Sequence, residues 1–339
     1  MTEQSAKIRK YVNFLLRAVI IILTYGFIYH QIFLENKLDD LSDVFLRLAE
    51  RQDVKWILAL MMLLMFINWG IESFKWKLLI SRIEHVSFFR SFKAVMAGIS
   101  VSLFMPNRTG DYLGRVFILE KGNHVEGIFS TIIGSFAQMI ITFGIGLLCL
   151  LTFTDHYFRE SLNIGEYMFM SLVFLVPVMV FALIMIYLKV GVLAEFLSRF
   201  LPGRWPRLKE NAAIFSRYSA GELSRVLLLS FLRYIVFSTQ FYILIRVFGA
   251  PVPAAEGFVL IPVIYLAMAL VPTFALVELG VRGTVSLFIF GLYFEKSGIV
   301  DPQILLAPLA ASSLLWLINL VLPAVIGTFF VFSLKFFRK

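Results

Sequence analysis

Residues 105–115 read MPNRTGDYLGR and follow the apolar run VMAGISVSLF at 95–104. Arg108, Asp111 and Arg115 therefore stand where a membrane segment should still be in progress. A membrane is the right frame. Of the 339 residues, 60% are hydrophobic and 16% charged, whereas soluble domains are about 45 to 50% apolar. Mean hydropathy is +0.86. Stretches near 11–33, 55–74, 127–153, 167–188, 226–248 and 303–332 each reach the roughly 20 residues that span a hydrocarbon core of about 30 Å. They predict six full crossings within a single integral membrane domain covering residues 1–339.

The longest polar stretches, 35–55 and 189–225, are too short for a catalytic domain, which takes about 100 residues or more. Any chemistry belongs in or at the membrane. The net charge of +9 does not call for nucleic acid, because basic residues of polytopic proteins gather in cytoplasmic loops beside anionic lipid. Cys149 is the lone cysteine, and His30, His85, His124 and His156 are scattered without metal-ligand spacing. No metal or cofactor is expected. Lys7, Arg9 and Lys10 precede an apolar run with no small-residue cleavage site, as in an uncleaved first span.

Lys and Arg counts orient the chain. Lys75, Lys77, Arg82, Arg90 and Lys93 follow the second span, and Lys189 to Arg225 carries seven more after the fourth. With the basic ends of the chain, these fall on one side. The opposite loops hold the acid-rich 35–55, Arg159 and Lys296. Both termini are thus expected in the cytoplasm, provided that the anomalous regions 92–119 and 253–294 each enter and leave by the same face. In the segment before the second span, Leu38, Leu41, Phe45 and Leu48 recur at the spacing of an interfacial helix.

Those two anomalous regions share a grammar. Each is a short apolar run, a proline-led polar motif and a second short apolar helix. After Pro106 come Asp111 and, four residues on, Arg115; after Pro272, in VPTFALVELGVRG at 271–283, come Glu278 and, four residues on, Arg282. An acid four residues before an arginine puts both on one helical face in the order that favours an ion pair. The proline ends or kinks the helix before it, and Asn107, Thr109 or Thr273 can cap the next. Lipid cannot satisfy the freed backbone groups, so such a break needs a cavity.

The first motif follows two crossings and the second five, so the two enter from opposite faces. The predicted fold is an all-α polytopic helix bundle with two inverted repeats, about 55–153 and 226–332, each containing a broken re-entrant helix pair. This is the recurring plan of secondary transporters, with substrate at the repeat interface. A charge at mid-membrane costs about 2.5 to 3.5 kcal/mol. Arg108, Asp111, Arg115, Glu278 and Arg282 together ask for about 15, comparable with a domain's whole stability. Pairing and water must relieve most of that. The odd arginine suits an anionic group, which guanidinium grips bidentately. The assigned substrate site is Asn107, Arg108, Asp111, Arg115, Glu278 and Arg282; Asn68, Glu72, Arg233 and Gln240 are candidate cavity-lining residues. Gly110 and Gly114 have the spacing of a close helix contact. Trp56, Trp69, Trp76, Trp205 and Trp316 read as interface anchors.

At MPNRTGDYLGR and LVPTFALVELGVRG the sequence resembles the flippase-like membrane domain of lysylphosphatidylglycerol synthases, which also occurs alone in many bacterial and archaeal proteins of unknown function. The resemblance covers nearly the whole chain. Asp111 stands where that family more often has Glu, and TFALVELG replaces a more glycine-rich stretch. The resemblance implies a domain of a bacterial plasma membrane that moves lipids between leaflets. The synthase activity belongs to an added cytoplasmic domain for which this chain has no residues, so no enzymatic activity is expected. Three functions remain open: a translocase for a lipid with an anionic or zwitterionic head group, a secondary transporter of a small soluble anion, and an integral-membrane transferase that modifies lipid.

Overall fold

The computed structural model describes residues 46, 48–103, 105, 109–120, 124–159, 163–200, 213–271 and 275–331, with five isolated positions between 12 and 22. All regular structure among the described residues is helical. Five helical stretches are long and apolar enough to cross a membrane: α1 (Val54–Ile80), α4 (His124–Tyr157), α5 (Glu166–Leu188), which the shorter α6 (Val190–Phe200) follows, α7 (Ala220–Val247) and the stretch Pro302–Val331. These match five of the six expected crossings. The sixth, 11–33, and the interfacial segment around 38–45 lie outside the described residues, although Leu48 at the end of that segment is buried. The protein is a multi-pass membrane protein. α5 buries only Phe169 and Tyr187, and the rest of this apolar helix forms an exterior suited to lipid.

Local signals set the helix ends. Ser87 accepts from the Arg90 amide to start α2 (Phe88–Ser102). Ser219 and Glu222 form a reciprocal capping box at the start of α7. Asp301 caps α10 (Pro302–Trp316) with Pro302 in the first turn. A π-helical turn, Leu317–Val321, joins α10 to α11 (Leu322–Val331) and carries Asn319. The expected helix break after α2 is present, with α3 (Gly110–Val116) following it. The second break separates α8 (Ala254–Leu270) from α9 (Ala275–Lys296).

The two broken regions are unequal, which corrects the expectation of a second short helix in each. α3 has seven residues, but α9 has 22. Past Arg282 nothing in α9 interrupts helix until Gly298, whose φ of 67° is left-handed. Thr109 opens α3 without a capping bond from its side chain, and Asn107 and Thr273 lie outside the described residues.

α2 and α3 fold back on each other. Gly110 and Gly114 do make the close contact that their spacing suggests: a Cβ on Gly114 would stand 2.6 Å from the Gly98 Cα, and one on Gly110 would overlap the Val101 carbonyl. Both ends of this hairpin sit at the same level. Arg90 donates to the Ile118 carbonyl (2.7 Å), and the Glu120 amide to Glu84 (2.9 Å). That level is also the His124 end of α4, where Val116 packs on Gly127. The second hairpin, α8 and α9, has both ends at the opposite, Tyr157 end of α4. There the Cys149 thiol lies 3.7 Å from the Phe258 carbonyl, and Lys296 donates to the His156 carbonyl (2.8 Å).

The hairpins also exchange partners. α2 packs on α11, and α8 packs on α4. A glycine permits each crossing: Gly327 of α11 faces the Met96 backbone of α2, and Gly146 of α4 faces Pro262 and Leu266 of α8. α1 and α7 meet between them. At the His124 level Tyr218 donates to the Leu79 carbonyl (2.8 Å) and lies 2.8 Å from the Ser130 hydroxyl; burial pushes its phenol pKa up to about 12.

Two further expectations are corrected here. Lys75 is not a loop charge following the second span, because α1 continues to Ile80 and buries it. Trp69, Trp76 and Trp316 are not interface anchors but interior side chains, since each lies on a helix face covered by its neighbours; the Trp76 indole donates to Thr131 (3.0 Å). Trp56 alone of the described tryptophans is exposed.

Candidate functional site

The first motif makes its ion pair. Asp111 and Arg115 lie one turn apart on α3, and the Arg115 Nε donates to Asp111 Oδ1 at 2.7 Å, with a second bond from the guanidinium to Oδ2. The remaining nitrogen reaches across to Glu72 of α1 at 2.7 Å. Glu72 is the hub. Its other oxygen takes Lys75 at 2.7 Å and Arg233 of α7 at 3.1 Å. Lys75 also reaches the Ser230 hydroxyl (3.4 Å). Arg233 donates its Nε to Asn68 (2.9 Å), whose amide continues to Asn319 in the π turn (3.2 Å). One polar chain thus links α3, α1, α7 and the α10–α11 junction.

Helix periodicity explains why α1 supplies three members. Asn68, Glu72 and Lys75 recur at spacings of four and three, on one stripe, with Trp69 beside them. Glu72 and Lys75 are each less than 5% exposed. At such burial a charge persists only when paired and hydrogen-bonded. One carboxylate facing three cations satisfies the acid; Lys75 depends on it for a counter-charge, whereas Arg115 also holds Asp111. The Arg233 guanidinium also stacks over the Trp69 ring, 4.8 Å from its centroid.

The second motif pairs as well: Arg282 donates to Glu278 at 2.9 Å, one turn apart at the start of α9. The two motifs line two adjoining chambers. One, of about 510 Å³, is bordered by Asn68, Asn319, Glu278 and Arg282. The other, of about 430 Å³, is bordered by Glu72, Lys75, Asp111 and Arg115. Trp69, Gln138, Thr142, Arg233, Ala269 and Leu320 belong to both walls. Four cations and three carboxylates of the described residues face this space, one positive charge in excess. Arg233 lies halfway along α7, about 20 Å from either end at 1.5 Å per residue. Asn68 is likewise central in α1.

The structure therefore brings Asp111, Arg115, Glu278, Arg282, Asn68, Glu72 and Arg233 to one pair of chambers. Gln240 it does not: that side chain is buried against α1, donating to the Met61 carbonyl (3.1 Å), and lines neither chamber. Its position on α7, seven residues beyond Arg233, carries it two turns away. Asn107 and Arg108 lie outside the described residues. Sequence reasoning missed Lys75, Asn319, Gln138 and Trp69. Lys75 was legible, since it continues the stripe of Asn68 and Glu72. Asn319 stood in plain view as the one strongly polar side chain in an apolar run of about 30 residues, a mark of function by its insertion cost.

Comparison with curated proteins and with solved structures gives no match. The family model described as the lysylphosphatidylglycerol synthase TM region matches residues 38–322. That span takes in both motifs and every described wall of the two chambers, and the chain belongs to that family.

Proposed function

We propose that the protein is a translocase that carries a lipid with an anionic or zwitterionic head group between leaflets, the head group passing through the paired chambers while the tails stay in the bilayer. The observation that carries this reading is the make-up of the chambers: charged walls at the midpoints of α1 and α7, with an apolar, exposed rim. Val271 borders the larger chamber and Met139 the smaller, and both are more than 40% exposed. A rim of that kind at membrane depth suits acyl chains rather than water, which favours a lipid over a small soluble anion. The excess positive charge suits an anion.

The hairpins support the mechanism. Two helix hairpins whose ends lie at opposite levels, each packed on a helix of the other half, are what inverted repeats with re-entrant elements would produce, and rocking of one against the other would expose the chambers alternately. On this reading the chain sits in a bacterial plasma membrane with both termini cytoplasmic, acts on lipid without modifying it, and draws energy from a gradient or from downhill flow.

The test is a liposome assay with head-group-labelled phosphatidylglycerol and phosphatidylethanolamine. The expected result is flipping well above that of protein-free vesicles, reduced about 10-fold or more in Arg233→Gln, which removes a charge-assisted bond network worth about 1.5 to 3 kcal/mol. Wild-type vesicles no faster than empty ones across both lipids would refute the proposal. Uptake of a soluble anion without lipid movement would replace it.

A further inference from the structure

The two ion pairs look equivalent in sequence, but their donors are spent differently. In the smaller chamber every Arg115 nitrogen is committed, to Asp111 or to Glu72. Lys75 is held between Glu72 and Ser230. A ligand drawing on these groups competes with the Asp111 and Glu72 carboxylates that already hold them. In the larger chamber Arg282 gives one bond to Glu278, and its buried Nε–H has no hydrogen-bond partner among the described residues. The Trp69 indole N–H, in a side chain 95% buried beneath Arg233, has none either. Buried polar groups are nearly always bonded, so each exception asks for an explanation. Both groups are donors that cannot accept. Their residues, Arg282 and Trp69, line the same chamber.

We infer that the larger chamber, beside Glu278 and Arg282, is where the phosphoryl oxygens of the substrate bind, with Arg282 Nε–H and Trp69 Nε1–H as their donors, and that the Asp111–Arg115–Glu72 cluster is a structural clamp. The inference rests on the translocase reading for the ligand being a lipid; the donors themselves ask only for a phosphoryl oxyanion. Arg233, stacked on the Trp69 ring, holds the indole in place and contributes positive charge to the same wall. The Gln138 carbonyl, also buried without a partner on that wall, accepts from a hydroxyl or ammonium of the head group beyond the phosphate. At about 510 Å³ the chamber is within the usual range for a small-molecule site of about 300 to 1,000 Å³.

The experiment measures binding of dihexanoyl-phosphatidylglycerol to the full chain in detergent by calorimetry. Dihexanoylglycerol, which has the same tails without phosphate, and inorganic phosphate are the comparison ligands. Trp69→Phe keeps the ring under Arg233 and removes only the N–H. Arg282→Lys keeps the charge and the Glu278 partner but loses Nε. Each is expected to weaken phosphatidylglycerol binding about 10-fold, the equivalent of about 1.4 kcal/mol, with dihexanoylglycerol unaffected. Tyr112→Phe, on the smaller chamber's wall, is expected to stay within about 2-fold of wild type.

Unchanged affinity in both variants overturns the assignment, and so does an equal loss in Tyr112→Phe. Inorganic phosphate that binds with the same sensitivity while the lipid does not bind overturns the lipid half and points to a soluble anion. If Trp69→Phe does not fold, Arg282→Lys decides alone. Binding that depends on both donors in a protein that fails to flip lipid leaves this site standing and removes the translocase; flipping with donor-independent binding does the reverse.

Discussion

Glu72→Gln is expected to cost about 3 to 5 kcal/mol of stability, the price of stranding buried charge, and to show as a large fall in the unfolding temperature of the detergent-solubilised protein. The reason is the geometry of the hub. Glu72 is the carboxylate shared by Lys75, Arg115 and Arg233, and two of the three are deeply buried: Lys75 is 1% exposed and Arg115 5%. A neutral amide accepts fewer of these bonds and cancels no charge. The effect should therefore be conditional on the cations. Lys75→Met alone removes one of three partners and leaves Glu72 paired with two arginines. In the Glu72→Gln background the same change removes a stranded ammonium, so the double variant should be more stable than the sum of the singles by about 1 to 3 kcal/mol. Thermal unfolding of the four proteins measures this. Strict additivity would mean that the contacts seen around Glu72 carry no coupling.

The second large effect is at the crossing of α2 and α11. A side chain on Gly327 would overlap the Met96 carbonyl oxygen of α2 and crowd the Ser100 hydroxyl. The obstacle on one side is backbone, which cannot rotate away. Ser100 also donates to the Ala324 carbonyl (2.6 Å), so a forced separation breaks an interhelical hydrogen bond too. Gly327→Ala is expected to cost about 1 to 3 kcal/mol through overpacking, and Gly327→Leu to prevent accumulation of folded protein. Gly146→Ala, at the matching crossing of α4 on α8, should behave like Gly327→Ala, because its Cβ would stand 2.7 Å from the Leu266 Cβ. Gly70 and Gly291 are helix interior positions with open space where a Cβ would go. There alanine should be neutral or stabilising by up to about 1 kcal/mol. Fluorescence-detected size exclusion after a heat step ranks the four alanine variants. Equal losses at Gly70 and Gly327 would show that close approach is not what the glycine provides.

The site was partly legible before any coordinates. Asp111 with Arg115, and Glu278 with Arg282, follow from helical spacing alone, because residues four apart on one helix meet whatever the rest of the chain does. Glu72 and Arg233 stood out by their cost in a membrane span, but nothing in their order along the chain says that they meet each other, 161 residues apart. Lys75 was mistaken for a loop charge because charge counting cannot locate where a helix ends, and α1 carries it inside. Asn319 was passed over because a single amide in an apolar run has no periodic partner; its partner is Asn68, on another helix.

Composition and periodicity by themselves determined that the chain crosses a membrane repeatedly, which described stretches are long and apolar enough to do so, where helices break, and which local charges pair, since each of these depends on residues within a few turns of one another. Tertiary structure alone decided that one carboxylate gathers three cations, that the hairpins swap partners at two glycine contacts, and that the two similar motifs differ in spare donors. Those outcomes depend on which helix faces meet, and that choice is made by packing between segments far apart in sequence, where no local pattern reaches.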